Sequence, residues 1–153
     1  MPLFPSEEWV EAWVALANAS TEFEASGAGW EGAVGIVIEA DPRSGVPETL
    51  YVRLDGRNGK WLAHALGTSS GILGTTKFVL RAPYLRWKDL VRQDLHPIKG
   101  LLQGRIRIQG HLPVILRWIA SIVILARLAG EVDTEFVDER APGEGSRAAG
   151  HGT

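Results

Sequence analysis

Apolar residues recur at every second position in five segments of the chain, most strictly at 103–110. In the segment Gln-Gly-Arg-Ile-Arg-Ile-Gln-Gly at positions 103–110, isoleucines alternate with arginines between two glycines. A period of two is typical of a half-buried strand, so a strand is predicted at 105–109. The same pattern predicts strands at 32–40, 50–55, 60–66 and 77–82. The run Asp-Gly-Arg-Asn-Gly at 55–59 predicts a tight hairpin between two of them.

Helical spacing of apolar residues marks the two ends of this strand-rich region. Ser6 is the expected N-cap of a first helix that places Trp9 and Trp13 on one face. Short helices are predicted at 84–93 and 97–102. The stretch 112–128 is almost uninterruptedly apolar and long enough for one further helix. A helix that is apolar nearly all round needs apolar cover, which the protein itself, a bound lipid or a membrane could supply.

The order of these elements is helix, four strands, short helices, strand and helix. It predicts an α+β domain in which strands follow one another through hairpins into a five-stranded, mainly antiparallel sheet covered by helices. A chain of 153 residues is typical of one domain, which we place at 1–136. Residues 137–153 are rich in Gly, Glu, Arg and Ala and lack apolar periodicity, so they are predicted to form a disordered polar tail.

Several kinds of chemistry have no support in the sequence. There is no cysteine, and the four histidines lack the spacing of metal ligands. Neither a G-x-S-x-G elbow nor a phosphate-binding glycine loop is present. We therefore expect no catalytic residues, metal or cofactor, and a protein that is not an enzyme. Residues 1–20 carry three glutamates and no basic stretch, so no secretory signal is recognised and a cytoplasmic location is expected.

A net charge of −2 conceals a marked asymmetry along the chain. Ten Lys/Arg and two Asp/Glu lie within 77–127, whereas the rest holds six Lys/Arg and sixteen Asp/Glu. Either the acidic flanks fold back onto the basic middle, or the middle meets an anionic partner. The second interpretation leads to the hypothesis that this basic region makes transient contact with anionic membranes. Nucleic acid is not an expected partner, because the overall balance is acidic and no reader motif is present.

The segment 84–130 resembles the sterol carrier protein 2 (SCP2-like) family. The resemblance is carried by Trp87-Lys88-Asp89-Leu90 on a short helix, by His96-Pro97 before a helical turn, and by the 103–110 segment followed by the apolar helix. The family usually has Asn-Pro where His96-Pro97 stands. The resemblance implies a five-stranded sheet with helices packed on it. It also implies a hydrophobic cavity under the C-terminal helix that binds fatty acids, acyl-CoA or sterol-like lipids without covalent chemistry.

The resemblance leads to a set of candidate ligand-binding residues. They are apolar and lie on the short helices, the 105–109 strand and the last helix: Leu90, Ile98, Leu101, Leu102, Ile106, Ile108, Leu112, Ile115, Leu116, Ile119, Ile122 and Val123. Head-group or membrane contacts are expected from a basic rim: Arg81, Arg86, Lys88, Arg105 and Arg107. The predicted function is noncovalent binding and transfer of a long-chain lipid. The alternative is a homodimeric interaction module whose apolar last helix forms the subunit interface.

Overall fold

Six helices and seven strands make up residues 1–140, the part of the chain that the computed structural model describes. The strands are β1 (Leu3–Phe4), β2 (Glu31–Glu39), β3 (Leu50–Arg57), β4 (Lys60–Gly67), β5 (Phe78–Pro83), β6 (Arg107–Gly110) and β7 (Glu135–Phe136). The helices are α1 (Glu7–Ala19), α2 (Thr21–Ser26), α3 (Tyr84–Val91), α4 (Pro97–Leu102), α5 (Leu112–Arg117) and α6 (Ile119–Ala129). No helix in this part of the chain has the length and apolarity needed to cross a membrane.

The main sheet has five strands in the order β4-β3-β2-β5-β6, which confirms the predicted α+β class. Three of its four pairings are antiparallel, and β2 runs parallel to β5. The expected succession of hairpins is therefore wrong at β5, which lies beside the central strand β2 and not beside β4. The reason lies in β2, which is buried without interruption from Ala33 to Ile38. A strand buried on both faces is typical of a central position.

Helix α1 packs across one face of the sheet and begins where the sequence predicts. The Ser6 hydroxyl accepts a hydrogen bond from the Trp9 backbone N–H at 3.1 Å, which is an N-cap. Ser20 caps α2 in the same way, accepting from Phe23 N–H at 3.0 Å. The Trp13 indole donates to the Leu125 carbonyl at 2.9 Å and so ties α1 to α6.

The predicted helix at 112–128 is two helices, because the backbone leaves the helical conformation at Trp118 (φ −106°, ψ 14°). No Pro or Gly causes this break. Instead, the Trp118 indole packs edge-to-face on Trp30, with ring centroids 5.2 Å apart. This contact between Trp118 and Trp30 is formed at the break that separates α5 from α6. The strand predicted at 105–109 forms at 107–110, since the preceding residues close a turn onto Gly100.

The beginning and end of the described chain lie side by side. Strand β1 pairs in parallel with β7. A 3-10 turn then follows at Val137–Glu139, and its Asp138 carboxylate accepts a hydrogen bond from the Tyr84 hydroxyl at 2.6 Å. Residues 137–140, which we expected to begin a disordered tail, are thus packed against α3. The remainder of the expected tail, 141–153, lies outside the described residues.

Candidate functional site

An apolar void of about 100 Å³ lies between the sheet and the helices. Its floor is the sheet face formed by Val34, Ile36 and Ile38 of β2 with Val52 and Leu54 of β3. These positions alternate along each strand, so the sequence pattern that predicts the strands also aims their apolar side chains at the void. Side chains of α1, α2, α3, α4 and α6 cover it.

All six tryptophans of the chain border this void. Two of them, Trp9 and Trp13, lie on the same face of α1 with ring centroids 5.4 Å apart. Four indole N–H groups donate to protein oxygens at 2.9 Å, with Trp9 bonded to Thr134, Trp13 to Leu125, Trp30 to Gly32 and Trp87 to Val37. Since an indole has a single donor, these four residues present only apolar ring surface to the void.

Few polar side chains interrupt the lining. Apart from aromatic residues, Ser121 of α6 has the sole buried polar side chain within residues 1–140. Its hydroxyl lies 2.8 Å from that of Ser26, at the end of α2. Lys60 also borders the void, but its ammonium donates to the Asn18 carbonyl at 2.7 Å and lies 3.9 Å from a Glu24 oxygen. The lining of the void is therefore almost entirely apolar.

The candidate ligand-binding residues divide into two groups in the structure. Four of them border the void: Leu90, Leu101, Ile106 and Ile122. The other eight do not: Ile98, Leu102, Ile108, Leu112, Ile115, Leu116, Ile119 and Val123. The break at Trp118 explains part of this, because α5 turns Leu112 and Leu116 outward, leaving them 61% and 60% exposed.

Sequence reasoning missed the contribution of α1, α2 and the sheet to the lining. The first two helices supply Trp9, Val10, Trp13 and Phe23. A signal was available, because six tryptophans in 153 residues is a high content and Trp9 and Trp13 were already placed on one helical face. Large aromatic residues dominate the walls of small-molecule sites. Their frequency was therefore a better guide to the lining than the apolar run at 112–128.

The expected basic rim is largely neutralised by nearby carboxylates. Arg81 and Arg107 both pair with Glu39, and Arg86 pairs with Asp89 at 2.9 Å. Arg105, by contrast, is exposed and has no carboxylate within ion-pair distance in the described part of the chain. None of the five basic side chains of the expected rim borders the void.

Lys88 belongs to a partly buried charge cluster with the C-terminal segment. Its ammonium lies 2.8 Å from Asp138 and 2.6 Å from Glu139. Burial acts to raise the pKa of Asp138, but hydrogen bonds from Lys88 and Tyr84 outweigh it and hold this pKa below its ordinary value. Burial and the Asp138 charge together raise the pKa of Tyr84, which therefore stays protonated as the donor. The cluster fastens the 3-10 turn to α3.

The charge asymmetry of the sequence is thus resolved in part by internal pairing. Acidic residues of both flanks reach the basic middle. From the N-terminal side, Glu39 meets Arg81 and Arg107, and Glu22 meets Arg127. From the C-terminal side, Asp138 and Glu139 meet Lys88. Within residues 1–140, no group of three His, Asp or Glu side chains is placed to hold a metal ion.

Comparison with known proteins gives a clear likeness at the level of structure. Neither a protein-family profile nor a curated protein sequence matches the chain. A crystal structure of sterol carrier protein 2 superposes with a TM-score of 0.75 and 23% identity, over 83% of this chain and 97% of that one. A conserved hypothetical protein from Thermus thermophilus, described as a candidate sterol carrier protein, gives a TM-score of 0.74 and 22% identity, over 85% and 90% of the two chains.

A third solved structure is more distant. Palmitated sterol carrier protein 2-like 2 from Aedes aegypti has a TM-score of 0.51 and 14% identity, over 74% of this chain and 93% of that one. At these identities the likenesses show a common fold. They confirm the resemblance that the segment 84–130 carries in the sequence and extend it to the greater part of the described chain.

Proposed function

We propose that this chain, whose fold is SCP2-like, binds a long-chain lipid or a similar hydrophobic molecule noncovalently in the void between sheet and helices. The observation that carries the proposal is the apolar lining, to which five helices, the sheet and all six tryptophans contribute. One protein of the same fold has been solved in a palmitated form. Fatty acids, acyl-CoA and sterol-like molecules are therefore the ligand classes to test first.

Desolvation is the main source of free energy for such binding. Each methylene removed from water contributes about 0.8 kcal/mol, so ten methylenes contribute about 8 kcal/mol before the costs of association. No ion pair with the ligand is needed to reach useful affinity. The mechanism is therefore exclusion of water from the ligand by apolar walls, and lipid transfer follows from the reversibility of that step.

The size of the void sets a condition on binding. Small-molecule sites usually enclose roughly 300–1,000 Å³, whereas this void measures about 100 Å³. A long-chain ligand must therefore displace side chains that border it. We expect this displacement at Leu101, Trp118 and Leu125, which border the void and are only half-buried. We expect α5 and α6 to shift relative to each other at the backbone break at Trp118 when a ligand enters.

Partial filling of the void tests the proposal with a matched pair of variants. Leu101→Trp adds bulk at the void, whereas Leu102→Trp adds the same bulk at a neighbouring position that is 83% exposed. We expect protein purified from cells to carry lipid, detected by native mass spectrometry and identified after organic extraction. Leu101→Trp should lose most of that lipid and Leu102→Trp should retain it.

Two results would overturn the proposal. The first is wild-type protein that carries no lipid and, after delipidation, takes up none of the three ligand classes. The second is equal lipid content in the two variants when both show wild-type circular dichroism. A stable dimer without lipid would favour the homodimeric alternative.

We propose in addition that α5 meets anionic bilayers. Leu112 and Leu116 are exposed and one turn apart, so they share a face of α5. From 95 to 130 the chain has five Lys/Arg and no Asp/Glu. Arg107 and Arg127 pair with Glu39 and Glu22, whereas Lys99, Arg105 and Arg117 have no carboxylate within ion-pair distance in residues 1–140. Apolar side chains beside positive charge are typical of segments that lie at the surface of anionic membranes.

Vesicle sedimentation tests this contact. The double variant Leu112→Glu/Leu116→Glu should lose binding to vesicles that contain phosphatidylserine, and Leu62→Glu, which changes an exposed leucine of β4, should not. Binding of the wild type should fall as salt is raised. Equal sedimentation with purely zwitterionic vesicles at low salt would contradict the electrostatic part, and unchanged sedimentation of the double variant would exclude α5.

A further inference from the structure

The void contains one polar feature that the proposed function leaves unexplained. Ser121 is buried among apolar lining residues of α6, between Ile122 and the indole of Trp118 along the chain. A buried hydroxyl is costly unless it is hydrogen-bonded. Its sole hydrogen-bond partner within residues 1–140 is Ser26.

The hydrogen bonds of the two serines define what Ser121 can offer. The Ser26 hydroxyl donates to the Phe23 carbonyl at 3.0 Å, so its hydrogen is used. The Ser121 hydroxyl therefore donates to Ser26 across the 2.8 Å separation. A hydroxyl has one hydrogen and two acceptor positions. With its hydrogen engaged, Ser121 remains an acceptor of hydrogen bonds at the wall of the void.

No free cation accompanies this acceptor in the described part of the chain. The ammonium of Lys60, the only charged residue of the lining, is occupied by the Asn18 carbonyl and lies near Glu24. An ionised carboxylate accepts hydrogen bonds but cannot donate them. To donate a hydrogen bond to a ligand carboxylate, Ser121 would have to break its hydrogen bond to Ser26. The negative charge of the carboxylate would still be buried without a counter-ion.

We propose that the Ser121 hydroxyl, oriented by its hydrogen bond to Ser26, is a polar subsite of the void, and that it selects lipids carrying an uncharged hydroxyl over lipids carrying an ionised carboxylate. A ligand hydroxyl donates its hydrogen to the free acceptor position of Ser121, and no protein hydrogen bond is broken. This inference rests on the proposed function, and it names the head-group chemistry that the void accepts.

The test compares two ligands that differ only in the head group, dodecan-1-ol and dodecanoate. Isothermal titration calorimetry with the delipidated full chain at about pH 9, where the carboxylic acid is ionised, should give at least a tenfold lower Kd for the alcohol. At about pH 5 the gap should narrow, because a growing fraction of the acid is protonated and can donate to Ser121.

Two variants should reduce the difference in Kd between dodecan-1-ol and dodecanoate, one by weakening binding of the alcohol and the other by strengthening binding of the carboxylate. Ser121→Ala removes the acceptor, so the Kd for dodecan-1-ol should rise about tenfold while that for dodecanoate changes little. Ser26→Ala keeps the Ser121 oxygen and frees its hydrogen, so binding of dodecanoate should strengthen. Ser70→Ala, at an exposed serine that does not border the void, is the matched control and should leave both values unchanged.

Failure of the inference is distinguishable from failure of the proposed function. If dodecanoate binds the wild type as tightly as dodecan-1-ol at about pH 9, or if Ser121→Ala and Ser26→Ala both keep the full preference, the inference is overturned and lipid binding stands. If neither ligand binds the wild type at any pH tested, both are overturned.

Discussion

At the scale of single residues, a cluster of polar contacts away from the void joins α3 to the C-terminal segment. Tyr84 is fully buried on α3 and donates to Asp138, and the Lys88 ammonium shares the same carboxylate. Hydrogen bonds to a charged group contribute about 1.5–3 kcal/mol each. These contacts therefore explain why residues 137–140 are packed against α3 although their sequence lacks apolar periodicity.

The lowered pKa of Asp138 predicts a defined pH dependence of stability. Because the folded-state pKa lies below the unfolded value of about 3.9, the stabilisation is complete above that value and is lost as pH falls through the folded pKa. Asp138→Asn should lower the free energy of unfolding by about 1.5–3 kcal/mol at neutral pH. Urea unfolding between pH 7 and pH 2 should show this deficit shrinking at the acid end.

The matched control for this prediction is Asp133→Asn, at an exposed aspartate without an ion pair in residues 1–140. It should change stability little at any pH. A deficit of Asp138→Asn that persisted unchanged to pH 2 would contradict the role given to the carboxylate charge.

At the scale of elements, the end of α2 is fitted closely to the turn between β3 and β4. A Cβ atom at Gly27 would lie 2.6 Å from the Gly59 Cα, although the Gly27 φ of −92° is accessible to any residue. Gly27→Ala should therefore destabilise the protein by about 1–3 kcal/mol through overpacking alone. Chemical denaturation measures this loss.

Gly71→Ala is the appropriate comparison for that variant. At Gly71 the nearest atom to an added Cβ is the Ser69 hydroxyl oxygen at 3.4 Å, an ordinary contact. The free energy of unfolding of Gly71→Ala should therefore stay close to that of the wild type. Equal stability of the two variants would show that α2 and the turn separate without cost.

Elements set by local chemistry were predictable from the sequence, and elements set by distant contacts were not. Ser6 predicts the start of α1 because an N-cap involves only the next three residues. Asn58-Gly59 predicts the β3–β4 hairpin because a tight turn likewise involves only neighbouring residues. The parallel pairing of β2 with β5 depends on residues more than forty positions apart. The helix break coincides with the contact between Trp118 and Trp30, which the apolar run around Trp118 does not reveal.

The candidate site follows the same division. The 103–110 pattern and the apolar helix located Ile106 and Ile122, which border the void. The same reasoning placed Leu112 and Leu116 there because it treated 112–128 as one straight helix. The lining from α1 and the pairing of Ser26 with Ser121 need the tertiary structure, since ninety-five positions separate the two serines.

At the scale of the whole molecule, occupancy of the void and stability are linked. A ligand that binds only the folded state stabilises it by about 2.7 kcal/mol at a hundredfold excess over Kd. Delipidated protein should therefore unfold at a lower temperature than protein reloaded with dodecan-1-ol, as measured by scanning calorimetry. The shift should be much smaller for Leu101→Trp than for Leu102→Trp, and no shift in the wild type would contradict binding.

The placement of every indole of the chain around a single hollow gives the protein a built-in optical reporter. Excitation of tryptophan samples this one region, so the emission carries no background from indoles elsewhere on the surface. The emission maximum and the intensity of tryptophan fluorescence depend on the polarity and packing of the surroundings of the indole. Both quantities should change when a ligand displaces water or side chains. Ligand binding and release are therefore expected to be measurable in real time by intrinsic fluorescence, without any attached dye.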